Sequence, residues 1–166
     1  MNIKDLQNAI ASIDADKLVQ LEKLIHKHKH IIILGNGGSN AIAQHIAQDY
    51  TKVLKKQAIC FADASRLTCY INDYGMDMAY RIFIQDFVRP DTLVILISSS
   101  GESVNMIHAA DYCRFHSVPY ITLTGFSGTN TLHTIGQGTA ALTFLVDSLS
   151  YGVVELTHEA ILHTVC

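Results

Sequence analysis

Two unbroken apolar runs constrain the fold most tightly: Ile31-Ile32-Ile33-Leu34 and Leu93-Val94-Ile95-Leu96-Ile97, each ending in a loop of small polar residues. A strand with one wet face alternates apolar and polar residues, so a run without alternation implies a strand covered on both faces, as in a parallel sheet enclosed by helices. Around these runs the period changes. Ala41 to Leu54, Val104 to Phe115 and Gly152 to Val165 read as helices, and Leu67 to Phe87 as mostly helical with a break at Asn72-Asp73-Tyr74-Gly75. Ala58 to Phe61, Tyr120 to Leu123 and Leu142 to Val146 read as further short strands. Strands alternating with helices require right-handed crossovers. The expected fold is therefore α/β, a three-layer αβα sandwich on a five-stranded parallel sheet.

Residues 1–29 stand outside that alternation. Ile3, Leu6, Ile10 and Ile13, then Leu18, Leu21, Leu24 and Ile25, recur at mostly three- and four-residue spacing, predicting two helices. If the sheet's own helices fill both faces, the second stripe is left to cover a partner subunit. Composition points the same way, since only 16% of the 166 residues are charged, against about 25% in an average soluble domain. His26, His28 and His30, interleaved with Lys27 and Lys29, read as the solvated end of the second helix with no ligand role.

The length suits a single domain over 1–166. A net charge of -3 without a basic run excludes a nucleic-acid footprint. The apolar runs fall far short of the ~20 residues a membrane helix needs, so no membrane partner is expected. The four cysteines form no CxxC pair, which fits reduced thiols and a cytoplasmic location.

In a parallel sheet, ligands bind beyond the carboxyl ends of the strands. Two loops there carry the right chemistry: Gly35-Asn36-Gly37-Gly38-Ser39, and Ser98-Ser99-Ser100-Gly101-Glu102-Ser103. Each runs into a helix N-terminus, where free N–H groups and the helix dipole attract an anion. Capping and tight turns would explain either loop alone; two such loops in one sheet point to a phosphate or sugar-phosphate site. A dinucleotide fingerprint is absent, because Asn40 stands where its third glycine is required. On the helices, His45 and Asp49 share one face, as do Glu155, Glu159 and His163 on the last. Imidazole and carboxylate at these spacings bind a divalent metal or pass protons, although an i,i+4 pair alone is more commonly a surface hydrogen bond.

Taken in order, GNGGS, AQHIAQD, LTCYINDYGMD, RPDTLVILISSSGES, ITLTG and VVELTHEAILH resemble the sugar isomerase (SIS) domain, and within it the phosphoheptose isomerases, from about residue 30 onward. The resemblance implies an SIS-type sheet with flavodoxin-like strand order. It also implies an aldose–ketose isomerase acting on sedoheptulose 7-phosphate. Asn36, Gly37, Gly38 and Ser39 then match the substrate loop, Asn72 and Asp73 a further substrate contact, and Ser98, Ser99, Ser100 and Ser103 the phosphate site. His45, Asp49, Glu155 and His163 match the metal ligands, Zn²⁺ being the expected ion, with Asp49 and His163 as the catalytic proton-transfer pair. A homotetramer is implied, with residues 1–29 in the interface.

Asp49 falls where the family has Glu, and Glu155 where it has Gln; Val153 and Tyr151 replace Arg and Thr. The segments before GNGGS and after Tyr50 are shorter than in the family. Two alternatives stay open from the sequence: an isomerase of another sugar phosphate, and a non-catalytic relative that binds the bacterial replication initiator protein.

Overall fold

Along the chain, two helices, α1 (Ile3–Ala11) and α2 (Ala15–Lys27), precede β1 (His30–Gly35) in the computed structural model, which describes residues 2–166. There follow α3 (Gly38–Lys52), β2 (Gln57–Cys60), α4 (Ala64–Tyr74), α5 (Met76–Phe87), β3 (Thr92–Ser98) and α6 (Val104–Phe115). The chain closes with β4 (Tyr120–Gly125), α7 (Thr131–Thr139), β5 (Leu142–Val146) and α8 (Tyr151–His163). All strand pairings are parallel and the order is β2-β1-β3-β4-β5. The sequence direction reverses between β1 and β3, which places the crevice for a ligand at the ends of those two strands.

The unbroken apolar runs have a direct cause. Ile31, Ile33, Leu93, Ile95 and Ile97 face one core, with α2, α3 and α8. Ile32, Leu34, Val94 and Leu96 face the other, with α5 and α6. Every residue of β3 is buried. No helix among the described residues is long and apolar enough to cross a membrane.

Four expectations need correction. The stripe on α2 does not wait for a partner: Leu21 and Ile25 are wholly buried in the chain's own core, and Leu18 and Leu24 pack against it. A five-stranded face is wider than α3 and α8 together can cover, and α2 fills the remainder, tied to β5 by the Lys17 ammonium donating to the Thr143 carbonyl at 2.9 Å. The apolar residues left exposed at this end are Ile3 and Ile10 of α1 and Val19 of α2. His28 is not a solvated residue. It is buried, and its Nδ1–H donates to the Leu24 carbonyl at the end of α2. Finally, α7 has no counterpart in the sequence reading, because Gly136 and Gly138 interrupt the period there. Gly136 is needed for contact: a Cβ would lie 2.8 Å from Thr122 Oγ1 on β4. The break between α4 and α5 narrows to Gly75, at φ 77°.

His158 on α8 is wholly buried, with its Nε2–H donating to the Thr124 carbonyl at 3.0 Å. Burial drives its pKa down to about 4. Below pH ~6.5 the unfolded chain gains a proton that the folded chain refuses until about pH 4. Stability should therefore fall by about 3 kcal/mol across that interval, and His158→Gln should flatten this part of the profile. Urea unfolding at a series of pH values checks it; a His158→Gln profile as steep as the parent's would contradict the assignment.

Candidate active site

The first glycine loop is held tight by close approach. A Cβ on Gly35 would lie 2.6 Å from the Ser39 backbone, and one on Gly38 would lie 2.5 Å from Glu155 Oε1. Gly37, at φ 52°, caps α3 with a conformation that side chains rarely adopt. On the second loop, Gly101 N–H donates to Ser98 Oγ and Glu102 N–H to Ser100 Oγ, both at 3.2 Å. Ser103 caps α6 without a side-chain bond of its own. The two loops are joined: Asn36 and Asn105 exchange amide hydrogen bonds of 3.0 and 2.9 Å.

Between the loops lies a cleft of ≈ 230 Å³ lined by Asn36, Gly37, Gly38, Ser39, Ser98, Ser99, Ser100, Ser103 and Glu155, with Tyr151 at its edge. The Ser99 hydroxyl is buried there and has no hydrogen-bond partner among the described residues. An orphaned buried hydroxyl costs roughly 1–3 kcal/mol, a cost that a bound oxyanion or water removes. Tyr151 meets Phe126 edge-on at 4.8 Å between ring centroids, while Val153 is fully buried. Asn72 and Asp73 are not among the residues lining the cleft. They sit exposed on the last turn of α4, where Asn72 Nδ2–H donates to Asp73 Oδ1 and the Cys69 thiol to Asp73 Oδ2.

A second group forms where α3 packs beside α8. One ligand atom each from His45, Asp49 and His163 fall within 4.8 Å of one another. Asp49 Oδ2 is 3.5 Å from His45 Nε2 and 3.7 Å from His163 Nδ1. Ligand atoms held about 2.0–2.1 Å from a tetrahedral Zn²⁺ stand about 3.3–3.4 Å apart. The two separations from Asp49 Oδ2 come near these values, and two imidazoles with one carboxylate are a donor set suited to the ion that leaves a position for substrate or water. Glu155 is outside the group, turned instead toward Gly38 and the cleft. One turn further along, Glu159 takes the place beside His45, with Oε1 at 2.8 Å from Nδ1. It also lies 3.9 Å from His163 Nε2. The spacing of 155, 159 and 163 put Glu159 on the right face, but only the packing of α8 separates its position from that of Glu155. Close by, burial and then the charge of Asp49 push the Cys166 thiol above its ordinary range, keeping it protonated.

A parallel sheet with a serine-lined cleft at its switch point is the architecture of an α/β fold that binds ligands beyond its strand ends, and the family comparison gives it a class. The SIS-domain family matches residues 2–125, and the chain belongs to that family. Within it the chain groups with the phosphoheptose isomerases. It is 31% identical over 158 residues to the phosphoheptose isomerase of Pelobacter propionicus, covering 92% of this chain and 81% of that one. To the Fusobacterium nucleatum protein of the same name it is 28% identical over 158 residues, covering 92% and 79%. The solved phosphoheptose isomerase from Neisseria gonorrhoeae superposes with a TM-score of 0.88 at 29% identity, covering 99% of this chain and 91% of that one.

Proposed function

We propose that the chain interconverts sedoheptulose 7-phosphate and D-glycero-D-manno-heptose 7-phosphate through an enediol. One observation carries this reading: the serine-lined cleft and the His45–Asp49–His163 group are served by the same two helices, α3 and α8. Similarity to relatives named phosphoheptose isomerase supports it. The phosphate would sit on the hydroxyls of Ser99, Ser100 and Ser103 and at the N-terminus of α6, giving binding energy remote from the reacting carbons. Asn36, Gly38, Ser39 and Glu155 would meet the sugar hydroxyls.

The chemistry moves protons without net change. A proton leaves C1 of the ketose and the C2 carbonyl oxygen gains one; the C1 hydroxyl then gives up its proton as a carbon-bound proton returns at C2. Asp49 and His163, adjacent and partly exposed, are the pair assigned to take and return these protons. A Zn²⁺ held by His45, Asp49 and His163 would supply Lewis-acid stabilisation of the negative charge on the two oxygens. Tyr151 at the cleft edge is the feature favouring a different chain length, so five- and six-carbon sugar phosphates are the second reading.

The test is proton exchange into a panel of sugar phosphates in D₂O, with and without chelator. Chelator-sensitive exchange, fastest with sedoheptulose 7-phosphate, is expected. No exchange with any member by folded protein would favour a non-catalytic relative. A homotetramer in the cytoplasm is part of the same reading, supported by exposed apolar side chains: Leu149 at 82%, Phe115 at 73%, Ile3 at 62% and Tyr151 at 60%. Sedimentation at micromolar concentration should give about four times 18.3 kDa; a single 18.3 kDa species would remove that part.

A further inference from the structure

We propose that Glu159 is a positioning residue for His45, holding that imidazole in the tautomer whose Nε2 lone pair faces Asp49 and His163. The proposal rests on the reading of those three residues as a metal site.

The two nitrogens of His45 have different surroundings. Nδ1 lies 2.8 Å from Glu159 Oε1, the length of a charge-assisted hydrogen bond. Nε2 lies 3.5 Å from Asp49 Oδ2, at the edge of hydrogen-bonding range and close to the separation of two ligands on one ion. An ionised carboxylate only accepts, so the proton of a neutral His45 belongs on Nδ1 and the lone pair on Nε2. The side chain is 53% exposed. Beyond these two carboxylates, the aromatic contact that steadies the ring is an edge-on one with His163, at 4.9 Å between centroids. Glu159 is thus the hydrogen-bonded restraint on its orientation.

The same carboxylate stands behind the second imidazole. His163 presents Nδ1 to Asp49 at 3.7 Å and Nε2 to Glu159 at 3.9 Å. Each ring therefore has Asp49 on one nitrogen and Glu159 on the other. Such outer carboxylates fix the ring, raise the basicity of the ligating nitrogen, and change metal affinity about 10- to 100-fold when removed. A direct-ligand role fits less well, because Glu159 contacts the nitrogen opposite the one facing Asp49 and stands outside the group of converging ligand atoms. An ordinary surface ion pair at this exposure would be worth little and would leave metal binding unchanged.

The experiment uses the full chain and three readouts. Competition with a chromophoric chelator gives Zn²⁺ affinity, which should weaken about 10- to 100-fold in Glu159→Ala. Glu159→Gln, whose amide oxygen still accepts, should recover part of it. Nitrogen-15 NMR of the metal-free protein, above the histidine titration range, should show His45 protonated at Nδ1 in the parent and redistributed toward Nε2 in Glu159→Ala. The absorption bands of the Co²⁺-saturated protein should keep their shape in both variants. Equal Zn²⁺ affinity in parent and Glu159→Ala would overturn this proposal alone. A changed Co²⁺ spectrum would overturn it by making Glu159 a ligand. A parent chain that binds neither ion would bring down the metal reading and this proposal with it.

Discussion

Asp49→Asn should abolish turnover and weaken metal binding while leaving the fold intact. The amide keeps the shape of the carboxylate but removes its charge and its capacity to take a proton. General acid–base catalysis alone is worth about 10²- to 10⁴-fold. Asp49 Oδ2 is also the atom that both His45 and His163 approach, so the amide would take away the single anionic donor of the group. Asp49→Glu is the informative partner. The family resemblance places a longer carboxylate at this position, and one methylene shifts the oxygens by about 1 Å, a displacement that costs on the order of 10²-fold in rate when geometry is critical. Asp49→Glu should therefore retain activity or improve it, and Glu155→Gln, which also restores the family residue, should be tolerated. Steady-state kinetics with zinc quantified in each variant checks all three. Isomerase activity that survives both chelation and Asp49→Asn would end the mechanism.

The second large effect belongs to the phosphate. Replacing Ser100 and Ser103 together by Ala should raise KM by about two to four decades, since charge-assisted bonds are worth about 1.5–3 kcal/mol each. Ser100 Oγ already accepts from the Glu102 N–H, which turns its own proton outward for a ligand oxygen. Ser103 makes no side-chain capping bond to α6, so its removal costs the helix little. A double variant with parental KM would move the anion elsewhere.

How much of this was legible in the sequence varies with the cause of each feature. β1 and β3 were readable because covering both faces of a strand removes every polar residue from it. α7 was not, because the contact of Gly136 with Thr122 puts the residue of lowest stiffness where helical period would be sought. The loops at residues 35–39 and 98–103 were legible as neighbours beyond the strand ends, by composition and by position, and they do line one cleft. The meeting of His45 with α8 spans 114 residues and leaves no local period to read. Within α8, Glu155 and Glu159 lie on one stripe, so spacing alone does not say which faces the glycine loop and which faces His45. Asn105 was passed over as an ordinary helix residue, although it is buried and braces Asn36.

That Glu155 and His163 occupy one uninterrupted helix makes α8 a ruler. Eight residues of helix fix the Glu155 end at the cleft and the His163 end about 12 Å apart along the axis, a length set by backbone hydrogen bonds rather than by a loop. Removing one residue between them would turn one end by about 100° relative to the other, so the reach cannot be shortened gradually from within α8. Substrates of a different chain length would have to be accommodated by the side chains lining the cleft, such as Tyr151 at the start of α8, rather than by a change in that length. Side-chain substitutions around the cleft should accordingly alter which sugar fits long before they alter what is done to it.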